Sequence, residues 1–138
     1  VIEVTCCNWQ QQQQHLKAIR SAVFISEQQV PPAEEWDGLD EQAWHFLALD
    51  AHQPVGCARL LADGTIGRMA VIKDYRGQGI GLQLLQQALK QAKQQGFQQA
   101  TLAAQCHAIA FYQKLGFAVT SEIFLDAGIA HQMMTKKL

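Results

Sequence analysis

The stretch DYRGQGIGLQLL, residues 74–85, sets Arg76, Gly77, Gly79 and Gly81 directly ahead of an apolar, helix-forming run. Glycine is costly at a helix entrance unless the backbone must turn sharply or something must approach it closely. The first N–H groups of a helix lack intrahelical acceptors, and the helix dipole adds partial positive charge there. An entrance stripped of side chains and flanked by a guanidinium therefore suits a phosphate or pyrophosphate. It is not a Walker-type loop, because no Gly-Lys-Ser/Thr ending follows. A dinucleotide fingerprint starting at Gly77 meets Leu82 where its last glycine belongs, and the loop follows a hairpin rather than the early strand of a βαβ unit. The remaining reactive types form no recognisable set. Cys6, Cys7, Cys57 and Cys106 contain no C-x-x-C, and His15, His45, His52, His107 and His131 lack zinc-site spacing. Buried, reduced thiols and no metal are expected.

The elements that must hold the loop follow from periodicity. VIEVTCC is a first strand, β-branched and short. From Trp9 to about Ser26, Leu16, Ile19, Val23 and Phe24 recur at helical spacing. The glutamines, including the run Gln10 to Gln14, fall mostly on polar helix faces. EQQVPPAEEWDGLDEQ reads as an acidic loop, carrying Glu27, Glu34, Glu35, Asp37, Asp40 and Glu41. AWHFLALD, PVGCARLLA and TIGRMAVI form a three-strand meander, with Asp63-Gly64 as a hairpin signal because both residues can take positive φ. Residues 79–95 carry Ile80, Leu84, Leu85, Ala88, Leu89 and Ala92 on one helical face, and Gly96 stops the helix. QATLAA is a fifth strand, AIAFYQKL a short helix, and the tail predicts strands at 117–125 and 129–136. The order is β-α-βββ-α-β-α-ββ, a mixed α/β single domain over residues 1–138.

Composition excludes several classes. Lys plus Arg is 11 against 12 for Asp plus Glu, so neither nucleic acid nor an anionic membrane is expected as partner. No apolar run approaches the roughly 18 residues of a membrane span. No secretory pattern opens the chain, which predicts a cytoplasmic protein.

MAVIKDYRGQGIG resembles the acetyl-CoA-binding core of the GNAT superfamily of N-acetyltransferases, whose signature Q/R-x-x-G-x-G/A falls on Arg76 to Gly81. AIAFYQKLGF, at 108–117, is similar to that family's A-x-x-F-Y-x-x-x-G-F segment. VFISEQQVPPAEEWDGLD and FLDAGIAHQMM resemble its ElaA/YjcF-like branch. The resemblance implies the GNAT fold, a mostly antiparallel mixed sheet of about seven strands flanked by helices. It implies backbone N–H groups of Gly77, Gln78, Gly79, Ile80, Gly81 and Leu82 on the pyrophosphate, with Arg76 beside them. Met69, Ala70 and Val71 would pair with the pantetheine arm along a strand splayed from the fifth, where a free N–H could hold the oxyanion.

The same resemblance makes Tyr112 the group that protonates the leaving thiolate as the tetrahedral intermediate collapses. Gln105, where many relatives carry asparagine, could bond the pantetheine, and Lys114 either approaches the 3′-phosphate or is a solvated helix lysine. For the general base Glu27 ranks first, matching a glutamate of the ElaA/YjcF-like pattern, with His107 and His131 as rivals. The implied activity is transfer of an acetyl group from acetyl-CoA to a primary amine by direct attack in a ternary complex. A sensor that binds acyl-CoA without turnover is the alternative, and a covalent route through Cys106 is a remote third. The acidic loop either attracts a cationic amine or is simply solvated. A homodimer through the C-terminal strands is compatible with the family.

Overall fold

The computed structural model describes residues 1–138. Strand β1 (Ile2–Cys7) runs into Asn8, whose Oδ1 accepts the Gln11 N–H at 2.8 Å and caps helix α1 (Trp9–Arg20). The helix does not stop there. Ser21–Glu27 widens into a π-helical turn, in which Gln28 N–H reaches back to the Val23 carbonyl at 3.0 Å. Such wide turns re-aim side chains that a regular helix would carry past one another. A single helical turn, α2 (Pro32–Glu35), interrupts the acidic segment predicted as loop.

The meander is β2 (Trp44–Asp50), β3 (Gln53–Leu60) and β4 (Ile66–Val71), and β1 joins it to give a four-stranded antiparallel sheet in the order β1-β2-β3-β4. The hairpin expected at Asp63-Gly64 is present, and of the two residues only Gly64 takes a positive φ, 88°. Gly64 N–H donates to the Leu61 carbonyl, and Asp63 Oδ1 accepts the Thr65 N–H, making a three-residue loop rather than a two-residue one. Helix α3 (Ile80–Gln94) follows. The second sheet holds β5 (Gln99–Gln105), β6 (Ala118–Val119), β7 (Phe124–Asp126) and β8 (Ile129–Lys137), with α4 (Ile109–Lys114) between β5 and β6. The strand expected at 117–125 is thus two short ones, which raises the total to eight.

Sheet one is covered on both faces, so its inner strands are continuously buried over most of their length rather than alternating. On one face Phe46, Val55 and Leu60 pack with Ile80, Leu84, Leu85 and Ala88 of α3, a core that continues into the second sheet through Leu102, Ala104 and Met134. On the other face Trp9, Leu16, Ile19 and Val23 close over Leu47, Cys57 and Ala70. A methyl group added at Gly56 would lie 3.0 Å from Leu84 Cδ1 and 3.2 Å from the Ala70 carbonyl, so a bare backbone is what lets α3 lie this close.

The two sheets touch by backbone at one place. Thr65 and Thr101 form an isolated parallel bridge, and Thr101 N–H donates to the Gly64 carbonyl at 3.1 Å. Beyond it β4 and β5 part. The register of β3 with β4 slips between Cys57 and Arg59, and Arg68 opposite takes a φ of 47°. A bulge of this kind bends its strand, here in the strand that borders the opening.

Candidate active site

Between the parted strands lies a cavity of about 760 Å³. Met69, Ala70 and Val71 of β4 line one wall, and Gln105 and Tyr112 line the other. Arg76 closes one end. The glycine loop from Gly77 to Leu82 lies just outside, at the start of α3. None of its backbone N–H groups donates to an acceptor within the protein. Gly77 and Gly79 take φ values of 78° and 82°, so the turn itself requires them. Gly81 differs: it is helical, and a Cβ there would meet nothing within 4 Å. Neither strain nor crowding within the chain calls for glycine at 81.

Arg76 spends its guanidinium inside the protein. Its Nε donates to the Val71 carbonyl at 2.9 Å, and its two terminal nitrogens donate to the two Glu27 oxygens at 2.7 Å each. The pair therefore staples the π-helical turn to the entrance of the glycine loop. The hydrogen bond from Arg76 is the main reason the Glu27 carboxyl lies below its ordinary range. The two residues expected from the sequence to act separately, Glu27 as base and Arg76 beside the phosphate, are thus partners of one another.

Tyr112 projects from α4 with its ring edge against Phe111 and Phe117, at centroid distances of 5.1 and 5.9 Å. Burial pushes its hydroxyl up to about 12. Gln105 is bonded on both sides. Its Nε2 donates to Gln28 Oε1 at 2.9 Å, and its Oε1 lies 2.7 Å from His107 Nε2. His131, on β8 beside Gln105, holds its Nδ1 2.7 Å from the Ile129 carbonyl and stacks on Phe124. Lys114 does not line the cavity, and neither does Cys106. The expectation of buried thiols holds only for Cys57 and is corrected for the others: Cys6 is exposed, and Cys7 and Cys106 are half-buried.

Three contributors were not singled out from the sequence. Gln28 meets Gln105 across 77 positions of chain, a distance that no local pattern reports. Arg59 and Arg68 sit within apolar strands, and a charge in such a run is the readable sign of a buried pair. Arg59 binds Asp37 at 2.8 and 2.9 Å and Asp40 at 3.0 Å; Arg68 meets Asp37 at 3.2 Å. Arg20, sandwiched between the Trp9 and Trp36 rings, bonds Glu35 at 2.7 Å and Asp40 at 2.6 Å. Of the acidic segment, Glu27, Glu35, Asp37 and Asp40 are therefore neutralised by arginines, and only Glu34 and Glu41 remain outside ion pairs. Most of the charge that would attract a cationic amine is spent within the protein. No three His, Cys, Asp or Glu side chains gather as a metal site would require.

A splayed pair of strands, a half-buried phenol in the cleft between them and a free run of N–H groups at a helix entrance beside it are the parts of an acyl-CoA N-acyltransferase. The chain belongs to the GNAT acetyltransferase family: the family model described as "Acetyltransferase (GNAT) domain" matches residues 10–138. Within it, the chain is 39% identical over 122 residues to the Bacillus subtilis protein named "Uncharacterized N-acetyltransferase YjcF", covering 86% of this chain and 87% of that one. The crystal structure of an acyl-CoA N-acyltransferase from Pseudomonas aeruginosa is similar at a TM-score of 0.89, with 32% identity and 99% of each chain covered. That of Escherichia coli ElaA gives a TM-score of 0.88 at 30% identity, again over 99% of each chain. Members of the family use acetyl-CoA as the acetyl donor.

Proposed function

We propose that the protein moves the acetyl group of acetyl-CoA to a primary amine by direct attack, with both substrates bound at once. The observation that carries this reading is the run of unpaired N–H groups from Gly77 to Leu82 at the mouth of a cleft that also holds Tyr112. The pyrophosphate binds the N–H run, where the α3 dipole adds to the attraction. The pantetheine arm lies along Met69, Ala70 and Val71 as a surrogate strand, using edge groups that β5 leaves unpaired. Arg76 acts here chiefly by fixing the loop through Glu27 and the Val71 carbonyl.

The acidity of Tyr112 defines its part. A phenol at about 12 stays protonated throughout the working range. Complete transfer to a thiolate with a pKa of about 8.5 would be uphill by roughly 5 kcal/mol. Tyr112 therefore acts as a hydrogen-bond donor to sulfur while negative charge builds on it, and the thiolate takes its proton from solvent.

Calorimetric titration of acetyl-CoA tests the reading, with Gly81→Glu as the comparison. Position 81 is helical and open, so the new carboxylate repels pyrophosphate without straining the backbone. The expected result is one site per chain, lost in the variant, with thiol release when primary amines are added. Binding without thiol release above the buffer rate would leave a cofactor-binding domain and overturn the catalytic reading.

A further inference from the structure

We infer that His131 is the base that takes the proton from the attacking amine, an assignment that rests on the acetyl-transfer reading above. A carbonyl oxygen can only accept, so the 2.7 Å contact between Nδ1 and the Ile129 carbonyl puts the proton of the neutral ring on Nδ1. Nε2 is left as the lone-pair nitrogen, without a hydrogen-bond partner in the protein, on a residue that lines the cavity. The ring is held in place by Phe124, stacked at 5.9 Å and 22°, and is only 8% exposed.

Its position suits the task. His131 pairs in register with Gln105 across β5 and β8, so the two side chains share one face of the sheet. Gln105 turns that face toward Gln28 and the π-helical turn. Tyr112 instead packs into the core that α3 covers. Base and thiolate partner thus stand on opposite sides of the arm, which leaves the π-turn side for the amine. The rivals are less well placed. Both Glu27 oxygens are clasped by Arg76, and His107, which donates from Nε2 to the Gln105 amide oxygen and keeps Nδ1 free, is exposed with no ring stacked against it to fix its position.

In the step, the amine nitrogen bonds the thioester carbon and the carbonyl electron pair moves to oxygen. Nε2 of His131 takes the proton from that nitrogen and later passes it to solvent. The oxygen pair returns, the C–S bond breaks, and its electrons leave with sulfur.

The test compares the unmodified chain with His131→Asn, whose amide still offers a donor to the Ile129 carbonyl but no base to the cavity. Acetyl-CoA is supplied with a primary alkylamine, a polyamine and a lysine-containing peptide, and thiol release is followed. The expected result is a fall in kcat of roughly 100-fold or more, with acetyl-CoA affinity by calorimetry changed less than about threefold. A kcat within about threefold of the unmodified protein overturns the assignment while leaving acetyl transfer intact. So does nitrogen NMR of the unmodified protein that finds the proton of the neutral His131 ring on Nε2. Failure of the unmodified protein to bind acetyl-CoA or transfer acetyl to any of these amines removes the parent reading, and this one with it.

Discussion

Tyr112 is surrounded by rings rather than charges, so its acidity is set by burial alone. Replacing it with Phe keeps the ring packing and deletes one hydrogen bond to a charged sulfur, worth about 1.5–3 kcal/mol. The expected outcome is a loss of roughly 10- to 150-fold in kcat, with the KM for acetyl-CoA nearly unchanged, read from steady-state thiol release. An unaltered kcat would remove Tyr112 from the chemistry. The short helix that carries this residue was legible in the sequence, because an apolar run closed by Gly-Phe marks both its face and its end. The state of Arg76 was not. Its partner Glu27 lies 49 positions away, and nothing local distinguishes a guanidinium free for phosphate from one already clasped. The same holds for His131: its type was visible, but the carbonyl that fixes its tautomer is a property of the folded strand.

Helix α3 and its glycine entrance are the element the sequence described best, and they carry a prediction that separates fold from function. Gly81→Ala places a better helix former in open space, so stability should rise by roughly 0.5–1 kcal/mol. Acetyl-CoA affinity should fall, because the methyl group enters the space kept for the anion. Thermal midpoints with and without acetyl-CoA check both signs. A gain on both counts would mean the glycine serves neither. Element boundaries were less legible where side chains replace main-chain partners. The strand expected at 117–125 breaks because Ser121 Oγ accepts the Met133 N–H at 2.8 Å, and the Ser121 carbonyl accepts from the Gln132 side chain at 3.1 Å. Helical periodicity through Ser26 was correct as periodicity, but it does not distinguish an α-turn from the wider π-turn that aims Glu27 and Gln28.

For the molecule as a whole, the buried ion network and His45 set the response to acid. Burial pushes the His45 ring below its ordinary 6.5, outweighing its bond to the Asp40 carbonyl. Below about pH 6.5 the unfolded chain therefore takes up a proton that the folded chain refuses, and stability declines. Burial would raise Asp37 and Asp40, but the arginines prevail: Asp37 is drawn from 3.8 to about 2, and Asp40 is lowered too. Their stabilisation is complete above the unfolded value and is lost as pH falls from about 4 toward 2. The thermal midpoint should be flat near pH 8, decline gently below about 6.5 and drop steeply below about 4. A midpoint still level at pH 5 would contradict the reading of His45.

The single Thr65–Thr101 bridge has a wider consequence for how this chain behaves among others. An unpaired strand edge invites any passing polypeptide to add itself, which is how many sheet proteins aggregate. Here two such edges, β4 and β5, are turned toward each other across a cleft, and on the far side of the second sheet the short strands β6 and β7 span only two and three residues. Facing edges of this kind shut out a second sheet, which needs a flank to pair with, and leave the strip reachable only by a slender, unbranched chain.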